Sequence, residues 1–280
     1  MMAPAAQDYK AVHQMAVATA RMIRDGENVI VGIGLPLIAA AIAGAQHAPN
    51  STILFEGGMI GARSRRMPWS ISDSACSDNA LAALEVWRVL GDQQAGYIHV
   101  GVVGGAQVDR YGNLNSTVIL GRGSYSYPKV RMPGSGGSND IASSCGRTII
   151  MMRLRKNNFV SKVDFVTSPG FLSGGDSRSE AGLRGGGPEA VVTDKCVFRF
   201  HPETKEMILS EISENSQIEE IRALVGWPLK VSREVKIMEP PTQEQMEIMN
   251  RYDPLGLVLG SSDELDLDDF DAYVRAMERI

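Results

Sequence analysis

The stretch "TILFEGGMIGA" covers residues 52–62 and places an acidic side chain where an apolar run ends. Three large apolar residues precede Glu56, and two glycines follow it. A short apolar run bounded by turn residues is typical of a buried strand in a parallel sheet. An acid at the end of such a strand is either a solvated turn residue or a charge at the sheet edge where ligands bind. The local pattern alone favours the solvated turn residue, so the rest of the chain has to decide.

Strands and helices alternate along most of the chain, which predicts a mostly parallel sheet covered by helices on both faces. The predicted helices are residues 8–25, 36–45, 78–92, 216–226 and 242–251. One predicted strand ends at Glu56, and four more cover residues 28–34, 97–109, 148–153 and 163–168. Residues 190–212 are predicted to form antiparallel strands. No internal repeat or clear linker divides the chain. We therefore expect one α/β domain over residues 1–260, followed by an acidic extension over residues 261–280.

The net charge of −5 is concentrated at the end of the chain, because residues 263–280 carry seven acidic and two basic side chains. The remainder is neutral overall and has no basic stripe, so we expect no nucleic-acid partner. Apolar residues at helical spacing predict that this extension is a solvated helix docked by one face; they are Leu265, Phe270, Tyr273, Val274 and Met277. A partner-binding or partly disordered tail is the alternative.

The sequence also bears on location and on metals. The first ten residues lack the pattern of a signal peptide, and no apolar run reaches membrane-spanning length, so we expect a cytoplasmic protein that does not enter a membrane. The three cysteines, Cys76, Cys145 and Cys196, form neither a disulfide framework nor a zinc spacing. The four histidines are scattered, and none lies in a catalytic motif, although spacing alone does not exclude a catalytic triad. We expect no structural metal.

Two glycine-rich segments are candidates for ligand binding. The first, "VGIGLPL" at residues 31–37, lacks the third glycine of a dinucleotide-binding fingerprint, so a tight strand-to-helix turn is the better interpretation. The second, "PGSGGSND" at residues 133–140, precedes a predicted helix start. Consecutive glycine amides at a helix start can direct several N–H donors toward one anion. Such a loop across the sheet edge from Glu56 would pair a nucleophilic carboxylate with donors for a developing oxyanion.

Several motifs together resemble those of the class I coenzyme A transferases, and in particular those of the β subunits of glutaconate CoA-transferases. They are "FEGG", "GGAQVDRYGNLNST", "GSGGSNDIA", "TIIMM" and "VDFVTSPG", in that order along the chain. The resemblance covers about residues 8–256. It implies an open α/β/α fold shared with ribose-5-phosphate isomerase-like proteins. It also implies an α-subunit partner in an α2β2 assembly, with part of the active site supplied across the interface.

The resemblance assigns roles to five residues. Glu56 matches the catalytic glutamate, and Gly136 and Gly137 match the glycines of the oxyanion hole, with Gly134 in the same loop. Gln107 falls in a motif that lines the pocket. The implied substrates are an acyl-CoA thioester and a carboxylic acid, without a permanently bound cofactor. We expect Gly57 and Gly58 to leave room for the thioester.

Alternatives exist on the same fold. Some relatives hydrolyse acyl-CoA or open cyclic acyl-CoA rings, and others decarboxylate, but those branches depart from glutamate at the position of Glu56. A sugar-phosphate-sensing domain would need an attached DNA-binding module, which this neutral chain does not suggest. The acyl donor and acceptor are not identified by the sequence. Arg63, Arg65 and Arg66 are either solvated or placed to bind the distal carboxylate of a dicarboxylic acid.

Overall fold

The computed structural model describes residue 6, residues 8–254 and residues 256–260. The acidic extension and its predicted apolar stripe lie outside the described residues. The helices are α1 (Ala11–Ala20), α2 (Leu35–Ala45), α3 (Val86–Gln94), α4 (Ser138–Ser144), α5 (Ser177–Glu180), α6 (Ile218–Leu224) and α7 (Gln243–Tyr252). The strands of the main sheet are β1 (Asn28–Val31), β2 (Thr52–Leu54), β3 (Met59–Ile60), β4 (Ala82–Ala83), β5 (Val100–Val103), β10 (Arg147–Met151), β11 (Pro188–Val192), β12 (Cys196–Phe200), β13 (Met207–Ile212) and β14 (Lys230–Ile237). Two small ribbons pair β6 (Gln107–Val108) with β7 (Leu114–Asn115) and β8 (Val118–Ile119) with β9 (Val130–Arg131).

The main sheet has ten strands in the order β14-β13-β12-β11-β10-β5-β1-β2-β3-β4. Its centre, from β11 to β2, is parallel throughout. Antiparallel pairs extend it on both sides: β11 with β12 and β12 with β13 on one, β2 with β3 and β3 with β4 on the other. The predicted α/β fold with a mostly parallel sheet is confirmed.

Both faces of the central part of the sheet are buried, as strand β1 shows. Val29 and Val31 of β1 pack into one apolar core, and Ile30 between them packs into the other. The first core includes α1, α2 and α7, and the second includes α3, α4 and α6. Side chains alternate between faces along a strand, so a run that is apolar throughout needs cover on both sides. The apolar runs in the sequence therefore correspond to strands buried between two helical layers.

The strand order reverses between β1 and β5. The chain passes from β1 outward to β2, β3 and β4, and then returns to β5 on the other side of β1 before continuing to β10 and β11. Open parallel sheets bind ligands beyond the carboxyl ends of the strands near such a reversal. Glu56, which follows β2, lies at this edge of the sheet.

The predicted helix over residues 78–92 was wrong in its first half. Residues Ala82–Ala83 form strand β4, with Leu81 N–H donating to the Ile60 carbonyl and Leu84 N–H to the Gly58 carbonyl, both at 2.8 Å. The helix begins only at Val86. Pairing with the β2–β3 hairpin thus overrides a local helical pattern, and it leaves the Leu81 side chain 80% exposed.

The predicted strand over residues 163–168 was also wrong. Only one isolated bridge, between Leu114 and Ser168, involves this segment, and Phe165 and Val166 are exposed. The predicted strand over residues 97–109 divides at Gly104–Gly105 into β5 and β6. Strand β14 was not predicted, because its side chains are largely exposed and its sequence lacks an apolar run.

No helix within the described residues is long and apolar enough to cross a membrane.

Candidate active site

Glu56 lies in the tight turn that joins β2 to β3. Phe55 is fully buried, its N–H donates to the Met59 carbonyl at 2.9 Å, and its carbonyl accepts from the Gly58 N–H at 3.0 Å. The turn is therefore anchored by an apolar side chain immediately before the acid. Glu56 itself is half-buried, and no hydrogen bond or ion pair engages its carboxylate within the described residues. Backbone hydrogen bonds therefore fix the position of Glu56, while its carboxylate oxygens remain available to another group.

Gly57 and Gly58 are required by close backbone contacts. A β-carbon on Gly57 would lie 2.4 Å from the Ile71 carbonyl oxygen, and one on Gly58 would lie 1.8 Å from that of Leu84. Gly58 also has a backbone φ of 111°, which residues other than glycine rarely adopt. The sequence suggested only that these glycines leave room for substrate, and it did not indicate that two later segments pack against this turn.

The glycine-rich loop lies directly before α4. The Gly134 N–H donates to the Ser116 carbonyl at 3.0 Å, and the Ser138 N–H donates to that of Ser135 at 2.9 Å. Gly136 has a φ of 50°, and Gly137 is the residue that precedes the helix. Within the described residues the N–H groups of Gly136 and Gly137 have no acceptor. Two backbone donors are thus left for another group.

The structure brings Glu56 and this loop together. A β-carbon built on Gly137 would lie 2.7 Å from Cδ of Glu56 and 2.9 and 3.1 Å from its carboxylate oxygens. One built on Gly136 would lie 3.9 Å from both oxygens. Only a residue without a side chain leaves the carboxylate in this position. The predicted proximity of Glu56 and the glycine loop across the sheet edge is therefore observed.

Gln107 is buried, and its amide joins neighbouring loops. Its Oε1 accepts from Asn115 Nδ2 at 2.7 Å and from the Asp164 N–H at 3.1 Å. Its Nε2 donates to Asp164 Oδ2 at 3.4 Å. The hydrogen bonds of Gln107 thus hold the β6–β7 ribbon to the segment around Asp164. Its predicted pocket-lining role stays a prediction.

Two residues that the sequence did not indicate hold α4 in place. Ser168 is fully buried, and its Oγ lies 2.8 Å from Ser138 Oγ at the start of the helix. Arg178 is also buried, and its guanidinium donates to the carbonyls of Ala142 and Ser143 at the end of the helix. Desolvation lowers the pKa of Arg178 to about 10, so the group is still charged at neutral pH. No local pattern marks the contacts of either residue with α4, because Ser138 lies 30 positions from Ser168 and Ala142 lies 36 positions from Arg178.

Three more carbonyls complete the surroundings of the Arg178 guanidinium. Nε donates to Gly185 at 2.8 Å, and Nη1 donates to Gly170 at 2.9 Å and to Pro169 at 3.2 Å. A buried arginine is stable only when its donors are satisfied. Here the donors are satisfied by backbone oxygens of α4 and of the loop over residues 169–185, so the guanidinium binds that loop to α4.

The basic segment after the hairpin is organised by Asp73. Its carboxylate accepts from both Nη atoms of Arg66, at 2.9 and 3.1 Å, and from the backbone N–H groups of Trp69 and Ala75. The hydrogen bonds from Arg66 hold the pKa of Asp73 well below its usual range. Arg66 is therefore committed to Asp73 rather than placed for a substrate, whereas Arg65 is exposed. Arg63 donates to the Pro49 carbonyl at 3.3 Å.

The cysteines are poorly suited to act as nucleophiles. All three are buried and free. Burial raises the pKa of Cys76 to about 11 and the pKa values of Cys145 and Cys196 to about 12. Because the thiolate is the reactive form, these thiols are largely unreactive at neutral pH. Among the residues that the structure describes, no group of three or more histidine, cysteine, aspartate or glutamate side chains is placed to hold a metal ion.

Comparison with known proteins gives a consistent result. The family model described as Coenzyme A transferase matches residues 12–224. The B subunit of the 3-oxoadipate CoA-transferase of Pseudomonas knackmussii is 37% identical over 244 residues, covering 86% of this chain and 92% of that protein. The B subunit of the glutaconate CoA-transferase of Acidaminococcus fermentans is 37% identical over 253 residues, covering 88% of this chain and 94% of that protein.

The fold agrees as well. The crystal structure of glutaconate coenzyme A-transferase from Acidaminococcus fermentans superposes with a TM-score of 0.83 at 35% identity, covering 90% of this chain and 98% of that one. The family match covers more than half of the chain, and the relatives are matched over nearly their whole length. With the carboxylate of Glu56 set against a glycine loop on the shared fold, the chain belongs to the class I coenzyme A transferases, a family of enzymes.

Proposed function

We propose that this chain is the β subunit of a heteromeric CoA-transferase that moves CoA from an acyl-CoA to a carboxylic acid through a thioester on Glu56. The observation that carries the proposal is the position of the Glu56 carboxylate against Gly137, beside two backbone N–H groups without acceptors in the described residues. A glutamate side chain is ordinarily ionised at neutral pH, so it needs no general base to act as a nucleophile.

In the first half-reaction the Glu56 carboxylate attacks the thioester carbonyl, the carbon–sulfur bond breaks, and CoA leaves as a thiolate. The product is a mixed anhydride between Glu56 and the acyl group. The thiolate then attacks the Glu56 carbonyl and releases the first acid as a carboxylate. The resulting glutamyl-CoA thioester conserves the activated bond, so no other energy source is required.

The second half-reaction reverses these steps with the incoming acid. Its carboxylate attacks the glutamyl thioester, and the thiolate then attacks the new acyl carbon of the anhydride and regenerates ionised Glu56. Each attack puts negative charge on an oxygen. We assign the N–H groups of Gly136 and Gly137 to bind that oxygen, each stabilising the transition state by about 3 kcal/mol. Holding the thiolate beside the anhydride replaces a bimolecular encounter, with effective molarities of ~10⁵ M or more.

We infer that the acid substrates are dicarboxylic. The two relatives at 37% identity are named for glutaconate and 3-oxoadipate, which are both dicarboxylic acids. The assay that tests this is acyl exchange by the chain with its partner subunit, comparing glutaconate and 3-oxoadipate with acetate as CoA acceptors. Preference for acetate would contradict the dicarboxylate assignment, and release of free CoA without acyl exchange would indicate a hydrolase.

We further propose that an α subunit completes the site, in an α2β2 assembly in the cytoplasm. Each of the two relatives is one of the named subunits of its CoA-transferase rather than a whole enzyme. Large apolar side chains are exposed on the segments that border the two halves of the site. Trp69 and Trp87, 57% and 67% exposed, lie on the segments around the Glu56 turn, and Tyr125 and Tyr127, 54% and 84% exposed, lie on the β8–β9 loop that leads into the glycine loop. Exposed apolar surface of this kind is typical of a protein interface.

A further inference from the structure

A cavity of about 420 Å³ is lined by the end of the β2–β3 hairpin that lies away from the turn holding Glu56. Three elements bound it: the second half of α2, the hairpin from Thr52 to Arg63, and the end of α7. It exists because α2 presents only small residues there, with Ala41, Gly44 and Ala45 in the wall. Its volume falls within the range of small-molecule sites, about 300–1,000 Å³.

The cavity has a positive lining in a chain of negative net charge. Arg63 and Arg251 line it, and among the described residues no aspartate or glutamate does, although the whole chain has 33 acidic and 28 basic residues. Neither arginine forms a salt bridge within the described residues. Arg63 donates one hydrogen bond, to the Pro49 carbonyl. Two guanidinium groups therefore face one cavity with most of their donors unused.

Both arginines also lie close to the side chain of Tyr252, another polar residue in the cavity wall. Tyr252 is half-buried, and burial raises the pKa of its phenol while the charges of Arg251 and Arg63 act to lower it. The phenol supplies a hydroxyl donor beside two cations. This set of donors suits an oxyanion, since guanidinium groups pair bidentately with carboxylate and phosphate.

We propose that this cavity is a second ligand site, separate from Glu56, that binds the carboxylate or phosphate group of a small organic anion. Arg63 and Arg251 pair with the anionic group, Tyr252 donates to it, and the alanines of α2 contact the carbon skeleton. The bound anion would lie against β2 and the returning segment, where the Gly61 N–H donates to the Ile53 carbonyl at 2.7 Å. This hairpin is the one that carries Glu56. The inference does not depend on the proposed reaction.

The test is calorimetric titration of the chain, assembled with its partner subunit, with pyrophosphate and separately with glutarate. We expect saturable binding of at least one probe, and the probe that binds identifies phosphate or carboxylate as the preferred group. Arg63→Ala and Arg251→Ala should each weaken it at least tenfold. Arg65→Ala is the matched control, since Arg65 is exposed on the same segment and does not line the cavity; it should leave binding unchanged.

A second kind of variant keeps the two arginines and fills part of the cavity. Ala45→Leu places a larger side chain in the cavity and should abolish binding with both arginines intact. Each variant is checked for an unchanged unfolding midpoint and unchanged acyl exchange at low substrate, so that loss of this site is distinguishable from failure of the Glu56 site. Absence of saturable binding, binding retained in both arginine variants, or binding lost equally in Arg65→Ala would overturn the proposal.

Discussion

At the scale of single residues, the central feature is the contact between Glu56 and a glycine that has no room for a side chain. The neighbour of a β-carbon on Gly137 is the flexible end of the glutamate, not backbone. A methyl group there displaces the carboxylate while the surrounding chain keeps its structure. Position 137 therefore separates an effect on chemistry from an effect on folding.

The first prediction is that Gly137→Ala lowers the acyl-exchange rate by about a hundredfold or more, because displacing an attacking oxygen by about an ångström costs that much. The unfolding midpoint should change little. Gly91→Ala is the control, since a β-carbon on Gly91 meets no atom within 4 Å; it should keep full activity. Near-normal exchange by Gly137→Ala would show that the carboxylate does not react from this position.

Glu56 and the Gly136–Gly137 pair could be singled out from the sequence because each belongs to a local pattern, an acid ending an apolar strand and glycines before a helix, and because the family resemblance then assigned a role to each. The sequence did not explain Gly57 and Gly58, whose close neighbours are Ile71 and Leu84. Those neighbours lie in a segment that was predicted as loop and helix. A contact across the fold has no local signature, so its residues are found only in the structure.

At the scale of elements, α4 is held from both ends, by Ser168 at its start and by Arg178 at its end. The same reasoning explains the wrong strand prediction for residues 163–168. Ser168 is buried and forms a hydrogen bond with Ser138 of α4, whereas the nearby Phe165 and Val166 are exposed. The apolar composition of this segment therefore does not reflect a position in the sheet. The central strands were predicted correctly because burial on both faces demands continuous apolar runs.

The second prediction concerns Arg178. Arg178→Ala leaves several buried carbonyls without donors and should destabilise the fold by about 3 kcal/mol or more, measured by urea unfolding. Arg184→Ala, at an exposed position in the loop over residues 169–185, is the control and should change stability by less than about 0.5 kcal/mol. Equal stability of the two variants would contradict the role of Arg178 in fixing the loop to α4.

The third prediction concerns the pH dependence of the segment around Asp73. The hydrogen bonds from Arg66 lower the pKa of Asp73 in the folded state, so its stabilising effect is complete above the unfolded value of about 3.9 and is lost as pH falls through the lower folded value. Amide-exchange protection at Trp69 and Ala75, normalised for intrinsic exchange rates, should be constant from neutral pH to about 4 and decline below it.

Asp73→Asn tests the same point at neutral pH. It should raise exchange at these two amides about tenfold, since a bond to a charged acceptor is replaced by one to a neutral amide. Asp78→Asn serves as a control at the other end of the segment, where the carboxylate accepts from the Arg65 N–H. Unchanged exchange at Trp69 in Asp73→Asn would show that another contact organises the segment.

At the scale of the whole molecule, we propose that the chain carries one half of the active site. Exposed aromatic residues border it on two sides, Trp69 and Trp87 on one and Tyr125 and Tyr127 on the other. The fourth prediction is that the chain alone does not exchange acyl groups, and that activity appears when the partner subunit is added. Trp87→Ala should weaken association with the partner at least tenfold, as expected for a large aromatic residue at an interface. Ile237→Ala is the control, because Ile237 is 55% exposed on β14 at the far end of the sheet.

Robust turnover by the isolated chain would refute the need for a partner. Association that is weakened equally by Trp87→Ala and Ile237→Ala would place the interface elsewhere. The number of copies of each subunit is read from the mass of the assembled complex, for which the proposal expects two of each.

The most direct test of the central claim is to trap the covalent intermediate on Glu56. The assembled enzyme is incubated with an acyl-CoA, treated with borohydride and digested for mass spectrometry. If the glutamyl-CoA thioester forms, Glu56 is reduced to the corresponding alcohol and activity is lost, and both effects are absent when acyl-CoA is omitted. Finding Glu56 unmodified while Glu56→Gln transfers CoA at the normal rate would contradict the mechanism.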